Sequence, residues 1–130
     1  MIVFTASEKD YADPILDYLD PDKNLIQARF YRTSCYKHEN SGLLVKDLRI
    51  FQRPLSDIAI VDNSVYAFAF QLENGIPIMN YFDDEGDEEL YHLYNFLKQL
   101  AVCEDVRPKI RDSFNLVRES ERYYTIMNEL

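Results

Sequence analysis

Apolar and polar positions alternate along this chain on two periods. Residues 2–7, IVFTAS, form an apolar, β-branched run ending on hydroxyls, the pattern of a buried parallel strand that brings polar side chains to a rim. SEKDYADPILDYLD follows, with Tyr11, Ile15, Tyr18 and Leu19 at helical spacing. Ser7 is placed to cap that helix, and Asp13-Pro14 marks a point where it restarts or kinks. DPDKN is a turn, and QARFYRTSCYK a short strand with a loop whose polar end runs through His38 to Gly42. GLLVKDL is a short apolar run that closes on Lys46. IAIVDN, residues 58–63, is the clearest strand, and IPIM, residues 76–79, is another. The acidic stretch DDEGDEE, residues 83–89, leads into Leu90, Leu93, Tyr94, Leu97 and Leu100, a stripe at i, i+3, i+4 and i+7. Its charge complements a helix N-terminus and predicts a solvated helix start rather than a metal site. From Asp105 the tail reads as helical, with Ile110, Phe114 and Val117 on one face and Tyr123, Tyr124 and Met127 further along.

Short apolar runs alternating with helices predict an α/β sheet with parallel strand order. Ligands of such sheets lie outside the carboxyl ends of the strands. Three of these ends carry chemistry: Thr5 with Ser7, Lys46, and Asp62 with Asn63. A hydroxyl and an ammonium group suit phosphoryl oxygens, and a carboxylate with an amide suits a hydrated Mg²⁺. Each of these residues taken singly is also an ordinary strand-end side chain.

The 130 residues, 47% of them hydrophobic, match one domain with a real core. Ten Tyr and eight Phe argue against a disordered chain. A net charge of −9 sets nucleic acid aside as a partner, because phosphate backbones require clustered Lys and Arg. No apolar stretch approaches the roughly 18 to 20 residues of a membrane span, and the first residues have no signal-peptide pattern. Cys35 and Cys103, without metal-binding spacing, predict reduced, partly buried thiols in an intracellular compartment. His38 and His92 are isolated and read as non-ligands.

The wording of the segments adds to this pattern. IVFTAS, YADPILDYLDP, FYRTSCYKHEN, VKDL, IAIVDNS, ENGIPI and YFDDEGDEEL, in that order, resemble the small C-terminal-domain and Dullard-type phosphatases. These form the NLI-interacting-factor branch of the haloacid dehalogenase superfamily. The likeness spans residues 2–114 and implies one phosphatase-like domain over residues 1–130, with a C-terminal helical extension at 115–130. The implied fold is a haloacid-dehalogenase-like, Rossmannoid three-layer sandwich around a parallel sheet. Thr5 resembles the family's second motif, whose hydroxyl binds the transferring phosphoryl oxygen. Lys46 resembles the third, which neutralises charge on a phosphoaspartyl intermediate. Asp62 resembles the family's Mg²⁺ ligand and Asn63 the residue that orients its shell or the substrate, while Arg32 sits where relatives place a basic residue near the substrate. The Lys46 to Asp62 interval fits the family. Departures from the pattern are Val65, where relatives have Pro after DNS, and a slightly longer loop between Cys35 and Lys46.

The family's first motif, an apolar strand ending in Asp-x-Asp-x-Thr or Val, is not among these residues. Its first Asp attacks phosphorus, and covalent catalysis needs that carboxylate. Asp20-Pro-Asp22 has the spacing but lies in a proline turn after a helix and is rejected as nucleophile. In the superfamily's strand order the nucleophile strand lies between the strands ending in Thr5 and Asp62. The expected fold therefore lacks its central strand in this chain, leaving backbone groups that cost roughly 1 to 3 kcal/mol each if buried unpaired. Direct pairing of the flanking strands, a strand donated beside residues 2–5 by a partner protein or second copy, or a segment outside the given sequence would each resolve this.

Two functions follow as expectations. One is a non-catalytic, phosphatase-like binding or scaffold module of a larger assembly. The other is a Mg²⁺-dependent protein serine/threonine phosphatase, acting on a phosphoprotein, whose nucleophile segment lies in omitted sequence or another chain. Mg²⁺ is expected if the site is retained and no cofactor otherwise. A mitochondrial import receptor of this fold family supplies a third comparison, with Phe114, Tyr123 and Tyr124 suited either to docking or to packing. The resemblance implies a cytoplasmic or nuclear location and admits a mitochondrial one.

Overall fold

The computed structural model describes residues 1–116. The chain divides into two compact units, Met1–Lys46 and the residues from Asp47 onward.

In the first unit, β1 (Ile2–Phe4) is followed by α1 (Lys9–Leu19) and then by β2 (Ala28–Phe30), which pairs with β1 in parallel. The register sets Ile2 against Ala28 and Phe4 against Phe30. Bonds from Gln27 N–H to Met1 O and from Thr5 N–H to Phe30 O, both 2.8 Å, extend the ladder at either end. β2 is the single strand neighbour of β1 among the described residues. The predicted buried strand is accordingly half-covered: Val3 and Phe4 are partly buried and Ile2 is 42% exposed.

α1 departs from expectation in three respects. Glu8, not Ser7, stands at its N-cap, and Glu8 O accepts the first helical N–H bonds, from Tyr11 and Ala12. Pro14 neither restarts nor ends the helix. A proline in a helix removes one N–H bond, but here the preceding residue, Asp13, fastens the helix to β2 and its flank. Its carboxylate accepts from Lys9, from Tyr31 Oη (2.5 Å) and from Arg29 Nη1 (3.1 Å). Third, Tyr11, Ile15, Tyr18 and Leu19 face outward, and Ala12 is the buried apolar residue of the helix. Ion pairs from Arg29 to Asp13 and Asp17 hold α1 where an apolar stripe was expected to.

The DPDKN turn winds around buried Asp20, whose carboxylate accepts the N–H groups of Asn24, Leu25 and Ile26. Asp20 thus organises a turn. These backbone donors, Ile26 foremost, hold its carboxyl below the usual carboxylate range. Beyond β2, a single 3₁₀ turn at Arg32–Ser34 leads to a hairpin of β3 (Tyr36–Lys37) and β4 (Leu44–Val45). Gly42, with φ of +70°, allows the chain to reverse between them.

In the second unit, β5 (Ile60–Asp62) and β6 (Gly75–Pro77) pair in parallel, with Val61 opposite Ile76 and Asp62 opposite Pro77. The dozen residues that a parallel crossover needs form two 3₁₀ turns, Val65–Phe68 and Leu72–Asn74. Alternation along β5 puts Ile60 on one face, in a core with Leu48, Ala67 and Phe68. Ala59 and Val61 join the other core, where Ile76 meets Leu100 of α2 (Glu89–Leu100) and Val106 and Ile110 of α3 (Val106–Phe114).

The predicted stripe on α2 is rotated. Leu93, Phe96 and Leu100 pack inward, while Leu90, Tyr94 and Leu97 are exposed. The acidic stretch starts the helix as expected: Asp87 Oδ1 accepts from Glu89 N–H at 2.9 Å. α3 is capped by Asp105, whose side chain accepts from Arg107 N–H, and it buries Ile110 beside Phe114. Val117, Tyr123, Tyr124 and Met127 lie outside the described residues, as does the expected extension from residue 117 onward. Cys35 and Cys103 are both partly buried, and neither forms a disulfide among the described residues. No helix among the described residues is long and apolar enough to cross a membrane.

Candidate functional site

The chemistry-bearing residues sit at strand ends in both units. In the first, β1 stops at Phe4 and the chain turns through Thr5-Ala6-Ser7. Thr5 Oγ1 accepts the Ser7 N–H at 3.1 Å, so the hydroxyl keeps its own proton to donate to an outside oxygen. Arg32 braces this turn from the other strand's exit. Its N–H donates to Ser7 O (3.0 Å), its Nε to Ala6 O (2.7 Å), and its Nη1 lies 3.4 Å from Glu8 Oε1. Thr5 and Arg32 are therefore brought together around one three-residue turn, and half of the Arg32 side chain stays exposed. The Cys35 thiol lies against the same turn, 4.0 Å from Thr5 O. Lys46 follows β4 directly and is 8% exposed, an unusual burial for a lysine.

In the second unit, β5 ends on Asp62. Asp62 Oδ1 accepts the Ser64 N–H at 2.9 Å, which fixes the carboxylate against its own turn. Asn63 is exposed and donates from Nδ2 to Asn80 Oδ1 at 2.7 Å. Both side chains sit at the carboxyl ends of a parallel strand pair, because Ile78 N–H donates to Asp62 O (3.2 Å) and carries the chain past Pro77 toward Asn80. Near the start of this unit Asp47 accepts from Arg49 and from Gln71 Nε2, while buried Gln71 accepts the Leu48 N–H through Oε1. The Arg49 guanidinium, ahead of the other contacts, holds the Asp47 carboxyl below its usual range.

Asp62 and Asn63 fit Mg²⁺ by donor chemistry: a carboxylate and an amide carbonyl are hard oxygens, and Mg²⁺ takes one or two such ligands while keeping waters and substrate oxygens. No group of three or more His, Cys, Asp or Glu suited to a metal occurs among the described residues. Sequence reading missed Asn80, Gln71 and Asn74. Their partners lie far away in the chain, and no local spacing signals them.

The model of the NLI interacting factor-like phosphatase family matches residues 1–107, and the chain belongs to that family. It is 47% identical over 116 residues to CTD small phosphatase-like protein 2 of Dictyostelium discoideum, covering 89% of this chain and 20% of that protein. It is 42% identical over 130 residues to CTD small phosphatase-like protein 3 of Caenorhabditis elegans, covering 99% of this chain and 44% of the relative. To the human carboxy-terminal domain RNA polymerase II polypeptide A small phosphatase 2 it is 41% identical over 105 residues, 81% of this chain and 38% of that protein. The chain thus spans less than half the length of each of these relatives.

Proposed function

We propose that these 130 residues carry the phosphoryl-binding and Mg²⁺-binding groups of a protein serine/threonine phosphatase site without its nucleophile, so that the polypeptide by itself is a non-catalytic, phosphatase-like binding module. Residues 1–130 are read as one such domain, and its central strand is the element they lack. The observation that carries this reading is that each of the two parallel strands bearing a motif residue has one strand neighbour among the described residues. β1 has only β2 beside it and β5 has only β6 among the described residues, although each ends in a residue matching a family motif.

In this reading Thr5 donates its hydroxyl proton to a phosphoryl oxygen and Lys46 offsets the phosphoryl charge. Arg32 holds the Thr5 turn and offers its exposed edge to substrate, while Asp62 and Asn63 hold Mg²⁺ and its shell. The ion, when bound, supplies charge neutralisation at the phosphoryl group. An attacking carboxylate is not among the candidates: the only Asp-x-Asp is Asp20-Pro-Asp22, and Asp20 is committed to three backbone N–H groups.

The same two-stranded pairings favour the second reading, a Mg²⁺-dependent phosphatase acting on a phosphoprotein. Its apolar strand ending in Asp-x-Asp-x-Thr or Val comes from sequence outside these residues, from a partner protein or from a second copy. Coding sequence upstream of Met1 with such a strand in frame supports it. For the polypeptide alone, the test is hydrolysis of p-nitrophenyl phosphate with Mg²⁺. The expected result is no turnover above buffer, and turnover that Asp62→Ala abolishes would defeat the non-catalytic reading.

A further inference from the structure

Ile76 and Ile78 of β6 and its exit, Leu93 and Phe96 of α2, and Phe114 of α3 line an open cavity of about 280 Å³. The Phe96 and Phe114 rings meet edge to face within it, their centroids 5.2 Å apart. Its polar lining residues, Ser113 among them, are exposed or half-buried. The volume falls below the roughly 300 to 1,000 Å³ of small-molecule sites, which favours a few side chains of a peptide segment as occupant. The chain supplies such a segment. α3 ends on Phe114, and Leu116, the last described residue, packs against the core of Leu48, Ile60, Ala67 and Phe68. The residues that follow therefore start from an anchored point two positions past a cavity wall. In residues 117–130 the sequence sets Tyr123, Ile126, Met127 and Leu130 at i, i+3, i+4 and i+7, with Glu121, Thr125 and Asn128 opposite them at the same spacing. A stripe of that kind draws its stability from packing on an apolar surface. Tyr123 stands seven positions after Leu116, a reach of about 10 Å along a helix and about 25 Å along an extended chain.

We propose that the cavity between β6, α2 and α3 is the docking site of this chain's own C-terminal segment, whose Tyr123, Ile126, Met127 and Leu130 side chains cover Leu93, Phe96 and Phe114. The inference is independent of the phosphatase reading. Pro77 pairs with Asp62, and Ile78 N–H donates to Asp62 O. The docked segment therefore lies against the strand beside Asp62 and braces it.

The test is methyl NMR of the full 130-residue chain, ¹³C-labelled at its Met, Ile and Leu methyl groups. The chain has three Met residues, and Met1 and Met79 are exposed, so Met127→Leu identifies the Met127 signal. Ring currents from Phe96 and Phe114 should move the Met127 ε-methyl upfield of the other two, with NOEs to the Ile78 and Leu93 methyls. Ser113 is exposed at the cavity, so Ser113→Trp fills the space without disturbing the core. It should abolish those NOEs and return Met127 to the position of the exposed methionines, leaving Met1, Met79 and Ile76 unmoved. A wild-type Met127 signal that coincides with the exposed methionines and shows no such NOE would overturn the proposal. Met127 NOEs that survive in folded Ser113→Trp would do the same. In a mixture of ¹³C-labelled and unlabelled chains the NOEs should stay within one chain. Cross-chain NOEs would give the cavity to the segment of a second copy and overturn the intramolecular assignment.

Discussion

Gly75 and Asn74 are adjacent at the entry to β6. A Cβ on Gly75 would lie 2.1 Å from the ring of Phe68, which is itself fully buried. Neither the ring nor the paired strand has room to move, so Gly75→Ala should destabilise the fold by about 1 to 3 kcal/mol, the usual cost of overpacking. An unchanged midpoint in urea unfolding would contradict this. Asn74, 1% exposed, donates from Nδ2 to the carbonyls of both Leu55 and Ile58 at 2.6 Å. Asn74→Ala leaves those two acceptors without that donor, and roughly 1 to 3 kcal/mol of stability should go with it. Substitution of exposed Asn95 in the same assay serves as the comparison and should change little. Residues of this kind were not legible in the sequence. Asp62 could be read because it ends an apolar run, whereas Asn74, Gln71 and Asn80 take their meaning from partners far along the chain.

α1 shows how charge can replace an apolar face at the level of an element. Asp13 is drawn well below the usual carboxylate range by Lys9 first, then by Tyr31 and Arg29. A depressed carboxylate contributes stability that is present above its unfolded value, near 3.8, and is lost as the pH falls through that value toward the folded one. Asp13→Asn should therefore lower the thermal midpoint near neutral pH, with the difference from wild type shrinking as the solution is acidified below about pH 4. A difference that stays constant down to strong acid would mean that Asp13 acts through packing instead. Element type and order were legible, since β1, α1, β2, β5, β6, α2 and α3 all fall on segments marked by periodicity. Faces were less so. On α1 and α2 several apolar positions share the helical period, and only tertiary packing decides which of them turn inward.

At the scale of the molecule, two parallel strand pairs each end in candidate phosphate chemistry and each leave β1 or β5 with a single strand neighbour among the described residues. Family membership follows from the match over residues 1–107, and the order of the motifs was legible because it is carried by contiguous words such as FTAS, VKDL and VDNS. The short lengths of the strands and the 3₁₀ connections between them were not legible, because an apolar run does not show where strand pairing stops. The proposed inactivity of the isolated polypeptide rests on the absence of an attacking carboxylate, and beryllofluoride tests it most directly because it mimics an acyl phosphate on a reactive aspartate. Fluorine NMR of the 130-residue chain with Mg²⁺ and beryllofluoride should show only free fluoride species. A Mg²⁺-dependent, protein-bound fluoride signal that disappears when one aspartate of this chain is replaced by asparagine would contradict the proposal.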